Sequence, residues 1–296
     1  MNQFSHPFLN GLKEMPIGKE KELANIRDWL ATQPHLPSIS DEYVYLFLHS
    51  NFYDTKATKE TIECYFTLRT ASPDLFTVRN PHTARLKASL DITNMVALPQ
   101  KTSEGYNILC YRLADTDYTK LNFSDAVRLF CMFNDVRLSE DGLSDGYIVI
   151  FDMKGCSLGH LTRVSLPALR AFMMYIQDAH PCRLKRIHVV HTAFFINQVM
   201  CLIKPFIKST LMSLLHLTTN GPASIVDVEL LPSDYGGPLE SLEEMHKEQR
   251  VLMEKIYKDW LIDSECFKVE EKKRIKKPSR GIFSSFTGNI KNLEID

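Results

Sequence analysis

The chain has 296 residues, 44% of them apolar and 24% charged, with a formal net charge of −1. That length supports one large domain or two small ones around a buried core, and the near-neutral balance excludes a global field that would attract nucleic acid. Any basic site is therefore local. Seven scattered cysteines, an odd number with no C-x-x-C pair, argue against a disulfide framework and a zinc knuckle, so reduced thiols in a cytoplasmic protein are expected. No charged start leads into an apolar core, so no signal peptide is expected. The uncharged run IHVVHTAFFINQVMCLI (187–203) is shorter than the roughly 20 residues of a spanning helix, and it divides into a strand and a buried helix.

In chain order, KEKELANIRDWLATQ places Leu23, Ile26, Trp29 and Leu30 on one helical face. DEYVYLFLHSN and KATKETIECYFTLR repeat helical spacing through Val44, Phe47, Leu48 and through Ile62, Tyr65, Phe66. After a less patterned stretch, YNILCYRL (106–113) alternates like a strand. NFSDAVRLFCMFNDVRL then predicts a helix with Ser124 as N-cap and Ala126, Leu129, Phe130 and Phe133 on one face. The strand YIVIF (147–151), a helix over 165–179, the strand RIHVV (186–190), a helix over 194–208 kinked at Pro205 and a last strand SIVDVELL (224–231) follow. Strands alternating with helices predict a largely parallel sheet, so the fold class is α/β behind an N-terminal helical bundle.

Gly155, Ser157 and Gly159 spell G-x-S-x-G, the serine-hydrolase elbow, and Asp227 or Asp234 followed by His246 satisfies the hydrolase chain order. Yet Asp152, Met153 and Lys154 intervene after the strand, the helix is expected only near Ser165 and Pro167, and no glycine-rich oxyanion loop precedes it. No catalytic residue is assigned. His188 and His191 lie three apart on a strand and face opposite ways, so no metal site is expected. No phosphate-binding glycine loop occurs, and no cofactor is expected.

The strings FLHSNFYDTKATKETIECYFTLRTASPDLF, YIVIFDMKG, AHPCRLKRIHVV, LIKPFI and LLPSDYGG stand in the order and spacing of the CRAL-TRIO lipid-binding family, which this chain resembles from about residue 38 to 240, in its tocopherol- and retinaldehyde-binding branch. The resemblance implies a helical domain over 1–87, a lipid-binding domain over 88–245, and a C-terminal helix with a basic tail over 246–296. It also implies an apolar pocket between sheet and helices under a lid running from about His191 to Leu214. Pocket positions then fall on Leu129, Phe133, Tyr147, Phe151, Phe172, Tyr175, Ile176, Cys182 and Ile187, with Phe194, Val199 and Ile203 in the lid. By pattern alone ordinary core is the favoured reading of these residues, and the resemblance reverses that order.

In this family asparagine commonly stands where this chain has His191, and proline where it has Ala193. The basic cluster of phosphoinositide-binding relatives is matched by Arg183 and Lys185, with Arg186 beside them, but His49, Asn51, Thr210 and Leu214 replace basic positions. That cluster reads either as a solvated run or as a head-group site. The tail carries Lys272, Lys273, Arg274, Lys276, Lys277 and Arg280 before Ile282, Phe283 and Phe286, which reads as disorder, membrane-surface contact or nuclear localisation. The expectation is a monomeric cytoplasmic carrier, not an enzyme, which moves one tocopherol-, retinoid- or similarly sized lipid between membranes. A lipid-sensing regulatory module is the alternative, and an esterase using Ser157 the third reading.

Overall fold

Side-chain caps start two of the three N-terminal helices, the second and the third. In the computed structural model, which describes residues 5–7 and 16–275, these helices are α1 (Glu20–Ala31), α2 (Asp41–Ser50) and α3 (Thr55–Ala71). The Ser40 hydroxyl accepts from the Tyr43 amide at 3.3 Å, and the Asp54 carboxylate accepts from Lys56 and Ala57 at 2.8 and 3.1 Å, satisfying otherwise orphaned N–H groups. Between them Phe52 and Tyr53 turn the chain with φ of 53° and 64°, a conformation that costs a non-glycine residue energy. The short helix α4 (Pro73–Phe76) and α5 (Ala84–Ile92), which lacked a clear apolar period, lead to the sheet.

The sheet has five strands in the order β1 (Thr93–Ala97), β2 (Asn107–Leu113), β3 (Tyr147–Asp152), β4 (Leu184–Val190) and β5 (Leu215–Leu217). β1 runs antiparallel to β2, and the other neighbours are parallel. Parallel neighbours require crossovers. α6 (Phe123–Asp141) joins β2 to β3, while α7 (Leu158–Leu161) and α8 (Leu166–Met174), extended by a π-turn over Tyr175–Ala179, join β3 to β4. α9 (Ile196–Ile203) and α10 (Ser209–Met212) join β4 to β5. α11 (Leu242–Val251) and α12 (Lys258–Asp263) close the described chain. Alternate strand residues divide between the faces: Val96, Ile108, Cys110 and Ile150 meet Leu242 and Met245 of α11, whereas Met95, Leu109, Tyr111 and Val149 meet Leu129, Met132 and Phe133 of α6.

Four local expectations are corrected. SIVDVELL is not a strand: Pro222–Ser224 and Val228–Leu230 are single 3₁₀ turns, because the Asp227 carboxylate captures the Glu229 amide at 3.2 Å while Val226 and Leu231 tuck into the core. The α6 cap is Asn122, whose side-chain oxygen accepts from Asp125 at 3.1 Å, not Ser124. The helix predicted over 194–208 ends at Ile203, two residues before Pro205, which has no N–H to continue it. Within the G-x-S-x-G stretch a helix starts directly after Ser157, as the single turn α7 from Leu158, and not first near Ser165.

A buried charged seam ties the helical layer to the α/β layer. Asp135 of α6, fully buried, accepts from Arg79 at 2.5 Å and Arg69 at 3.2 Å. Arg69 also donates to the Tyr65 hydroxyl at 2.9 Å and the Ser264 carbonyl at 3.4 Å, and the Arg79 amide donates to Glu265 at 2.7 Å. Burial alone would raise the Asp135 carboxyl, but Arg79 and Arg69 outweigh it and hold it well below the carboxylate range.

Candidate functional site

A cavity of about 430 Å³ opens where the α6 side of the sheet meets the crossover from β4 to β5. Its floor comprises Met95, Tyr111 and Phe151; α6 contributes Phe123, Ala126, Val127 and Phe130; α8 contributes Leu169 and Phe172. Phe195, Val199, Leu202 and Ile203 cover it. The rings brace one another, with Tyr111 stacked on Phe151 at 5.1 Å and Phe130 edge-on to Phe172 at 5.0 Å. No residue of α9 is fully buried, so the cover rests on a single apolar face.

The cover springs from a polar joint. His191, directly after β4, adopts φ 46°, and its Nδ1 lies 2.8 Å from the buried Asp152, which also accepts from the Lys154 amide at 2.8 Å and the Tyr235 hydroxyl at 2.9 Å. Burial, reinforced by Asp152, pushes the Tyr235 phenol far up, so it remains a donor. Gly221 is needed here, since a Cβ on it would lie 2.7 Å from His191 Nε2. Asp152 and Cys156 border the cavity, and burial, followed by Asp152, pushes the Cys156 thiol up to about 11, leaving it a poor nucleophile.

Of the sequence-predicted pocket residues, Phe151, Phe172, Val199 and Ile203 border this cavity. Tyr147, Ile176, Cys182 and Ile187, again with Phe151 and Phe172, surround a narrow adjoining crevice of about 40 Å³. Leu129 and Phe133 are fully buried in the α6–sheet core instead, because they point to the part of the α6 face that the sheet fills. Tyr175 is also core, its hydroxyl 2.9 Å from His180 Nδ1. Phe194 is 85% exposed and does not border the cavity. Sequence reasoning missed Phe123, Val127, Leu169 and Phe195 as wall residues, although the i, i+4, i+7 spacing of Phe123, Val127 and Phe130 was visible.

Ser157 borders the same cavity without the posture of an elbow nucleophile. Its φ and ψ of −131° and 167° are ordinary extended values, and it caps α7. Its hydroxyl lies 3.0 Å from His160 Nδ1, but no acidic group among the described residues orients that ring from the other side, where His160 Nε2 is left unpartnered by them. His188 stacks on His216 at 5.1 Å and does not join His191. Among the described residues, no group of three His, Cys, Asp or Glu residues could hold a metal ion.

A second, polar cleft of about 590 Å³ lies between the α2–α3 turn and β4. Arg183 and Lys185 line it together with Lys208, Asn51, Thr210 and Leu214. The Arg183 guanidinium sits 4.3 Å over the Phe52 ring and donates to the His49 carbonyl at 2.8 Å. Burial, then Arg183, pushes the His49 imidazole down to about 4, so it adds no charge to the cleft at neutral pH. Arg186 does not line it, being engaged by Glu104 at 2.8 and 2.9 Å. Lys272, Lys273 and Arg274 are described, Arg274 being paired with Glu63 and Glu271; Lys276, Lys277, Arg280, Ile282, Phe283 and Phe286 lie outside the described residues. Among the described residues, no helix is long and apolar enough to cross a membrane.

Comparison with known proteins places these features. A CRAL/TRIO domain matches residues 93–237, and a Pinta-like, UBA domain matches residues 16–86. Clavesin-1 of Xenopus laevis is 24% identical over 234 residues, covering 77% of this chain and 70% of that protein. Alpha-tocopherol transfer protein-like of Homo sapiens is 25% identical over 237 residues, covering 76% and 67%. The chain thus spans about two thirds of the length of these relatives. The crystal structure of Sfh5 aligns with a TM-score of 0.48 and 12% identity, covering 79% of this chain and 92% of that one.

Proposed function

We propose that this chain, whose residues 93–237 match a CRAL/TRIO domain, carries one small hydrophobic lipid, of tocopherol, retinoid or similar size, and exchanges it at membrane surfaces. CRAL/TRIO proteins generally bind and transfer lipophilic ligands, and the name of one relative points to tocopherol-type cargo. The observation that carries the reading is the combination of an aromatic- and aliphatic-walled cavity of about 430 Å³ with a cover that buries none of its own helix. A lipid leaving a bilayer gains little from apolar burial alone, so cavity shape and a few polar groups choose among cargoes. The cleft of Arg183, Lys185 and Lys208 is the proposed contact for a phosphorylated lipid head group, although Lys208 also pairs with Asp178.

The test is native mass spectrometry of the purified protein, extraction of what it holds, and transfer of that lipid between vesicles. One bound lipid moved catalytically between donor and acceptor vesicles supports the carrier. Binding without vesicle transfer would instead make it a lipid-sensing module. An esterase reading is favoured by one distance, Ser157 Oγ to His160 Nδ1 at 3.0 Å. Stoichiometric labelling by a serine-directed phosphonate, lost in Ser157→Ala, would establish it; the carrier reading expects no labelling and unimpaired transfer by that variant.

A further inference from the structure

The wall of the 430 Å³ cavity carries few polar side chains, and one of them keeps an unmatched hydrogen-bonding atom. His160 lies on α7, borders the cavity and is 7% exposed. Geometry fixes its tautomer. The Ser157 backbone N–H donates to Nδ1 at 3.0 Å, and an amide N–H can only donate, so Nδ1 offers its lone pair and the ring proton sits on Nε2. The Ser157 hydroxyl lies 3.0 Å from the same nitrogen and locks the ring further. Nε2–H is therefore a buried donor, and no group among the described residues accepts from it.

Buried donors in folded proteins nearly always find an acceptor. Asp152 on the same wall is already satisfied by Lys154, His191 and Tyr235, and it is engaged in holding the joint of the cover. We propose that His160 Nε2–H is the polar anchor of the cavity, donating to a neutral oxygen acceptor at the polar end of the cargo: a carbonyl, ether or hydroxyl oxygen on an otherwise hydrocarbon lipid. The proposal rests on the carrier reading and narrows it. It requires that the protein distinguish two lipids of the same skeleton by one oxygen, and that Ser157 acts by fixing the imidazole, with no nucleophilic step. Because the anchor is a neutral donor in an apolar wall, a single hydrogen bond sets the expected size of the preference.

The test uses the full chain and diphenylhexatriene, a purely hydrocarbon fluorophore, displaced by hexadecane or by the methyl ketone of the same chain length. The ketone is expected to compete about tenfold better, equivalent to about 1.4 kcal/mol, and its carbonyl stretch should move to lower frequency on binding. His160→Asn keeps an acceptor for the Ser157 amide but has no donor at the Nε2 position. It should bind diphenylhexatriene as the parent does while losing both the preference and the carbonyl shift. His160→Gln, which carries an amide N–H near the Nε2 position, should retain part of both. An undiminished ketone preference in His160→Asn overturns the anchor and leaves the carrier reading standing. Failure of the parent protein to bind the fluorophore or either competitor overturns the two together.

Discussion

Asp135 sits between two guanidiniums with no solvent contact, whereas none of the eight residues of α9 is buried, and the cavity lies beside both α6, which carries the one, and α9. The first arrangement ties α6 to α3, to the segment after α4 and to the turn after α12 through ions that have nowhere else to go. The second holds a cover by dispersion and apolar contact on one side. A carrier needs both, because the wall that shapes the cargo must persist while the cover moves. Low local burial is the physical content of such mobility.

The seam offers the largest way to break this contrast. Asp135→Ala leaves Arg69 and Arg79 buried without their carboxylate and should cost about 3–5 kcal/mol, read as a lower urea midpoint. Val199→Ala in the cover should cost well under about 1 kcal/mol, as a partly exposed truncation does. Equal losses would mean that the cover is as much a part of the core as the seam.

Acid sharpens the same side of the comparison. Burial pushes the imidazole of His6, whose ring packs against Tyr43 and Trp260, down to about 3 from its ordinary value of about 6.5, with Asp135 opposing the shift and Arg69 and Arg79 adding to it. The folded value lies below the unfolded one, so between them the unfolded chain binds more protons and stability falls as pH drops from about 6.5 toward 3. His6 alone is expected to contribute about 1.4 kcal/mol per pH unit, or about 2 kcal/mol by pH 5. Asp135, held low, stays ionised through this window and does not add to the slope. Urea melts from pH 7 to pH 5 should show the decline, and His6→Gln should remove about one proton's worth of it; an unchanged slope would take His6 out of the seam.

Neighbouring positions on α6 separate wall from core. Ala126 borders the cavity and Leu129, three residues on, is fully buried in the core. Leu129→Phe overpacks a filled space and should cost roughly 1–3 kcal/mol while lipid loading survives. Ala126→Phe places its ring in vacant volume, so the apo protein should melt near the parent temperature and lose lipid loading. Reversal of the two outcomes would move the cavity to the other stripe of the helix.

That same helix shows where the sequence stopped being legible. Periodicity identified α6 as apolar over a broad face, but Phe130 in the wall and Leu129 and Phe133 in the core belong to adjoining stripes of identical chemistry. A void and a filled core select the same residue types, so spacing finds the face and cannot find the hole. The strands YNILCYRL and YIVIF carried enough apolar residues to be read, whereas Leu215–Leu217 is too short to establish alternation and SIVDVELL was misread because its aspartate favours a turn. The seam left no local trace, since Arg69, Arg79 and Asp135 each look like a surface charge until the chain brings them together. His160 directly follows the G-x-S-x-G stretch, yet its unpartnered nitrogen exists only once Ser157 has claimed the other one.

The smallest effect in bulk stability belongs to the cover, and it is read by hydrogen exchange. The α9 helix spans only eight residues, ends before Pro205 and only half-buries one face, so local opening should expose its amides far more often than global unfolding does. α6, with Leu129, Met132, Phe133 and Asp135 buried, should exchange only through global or near-global opening. Lipid in the cavity would touch Val199, Leu202 and Ile203 from below and add contacts that the open cover lacks, so loading should slow α9 exchange by a large factor. The same loading should change α6 only by the general stabilisation that any ligand of the folded state confers. An α9 already as protected as α6 without lipid would make the cover a fixed wall, and cargo would then have to enter by another route.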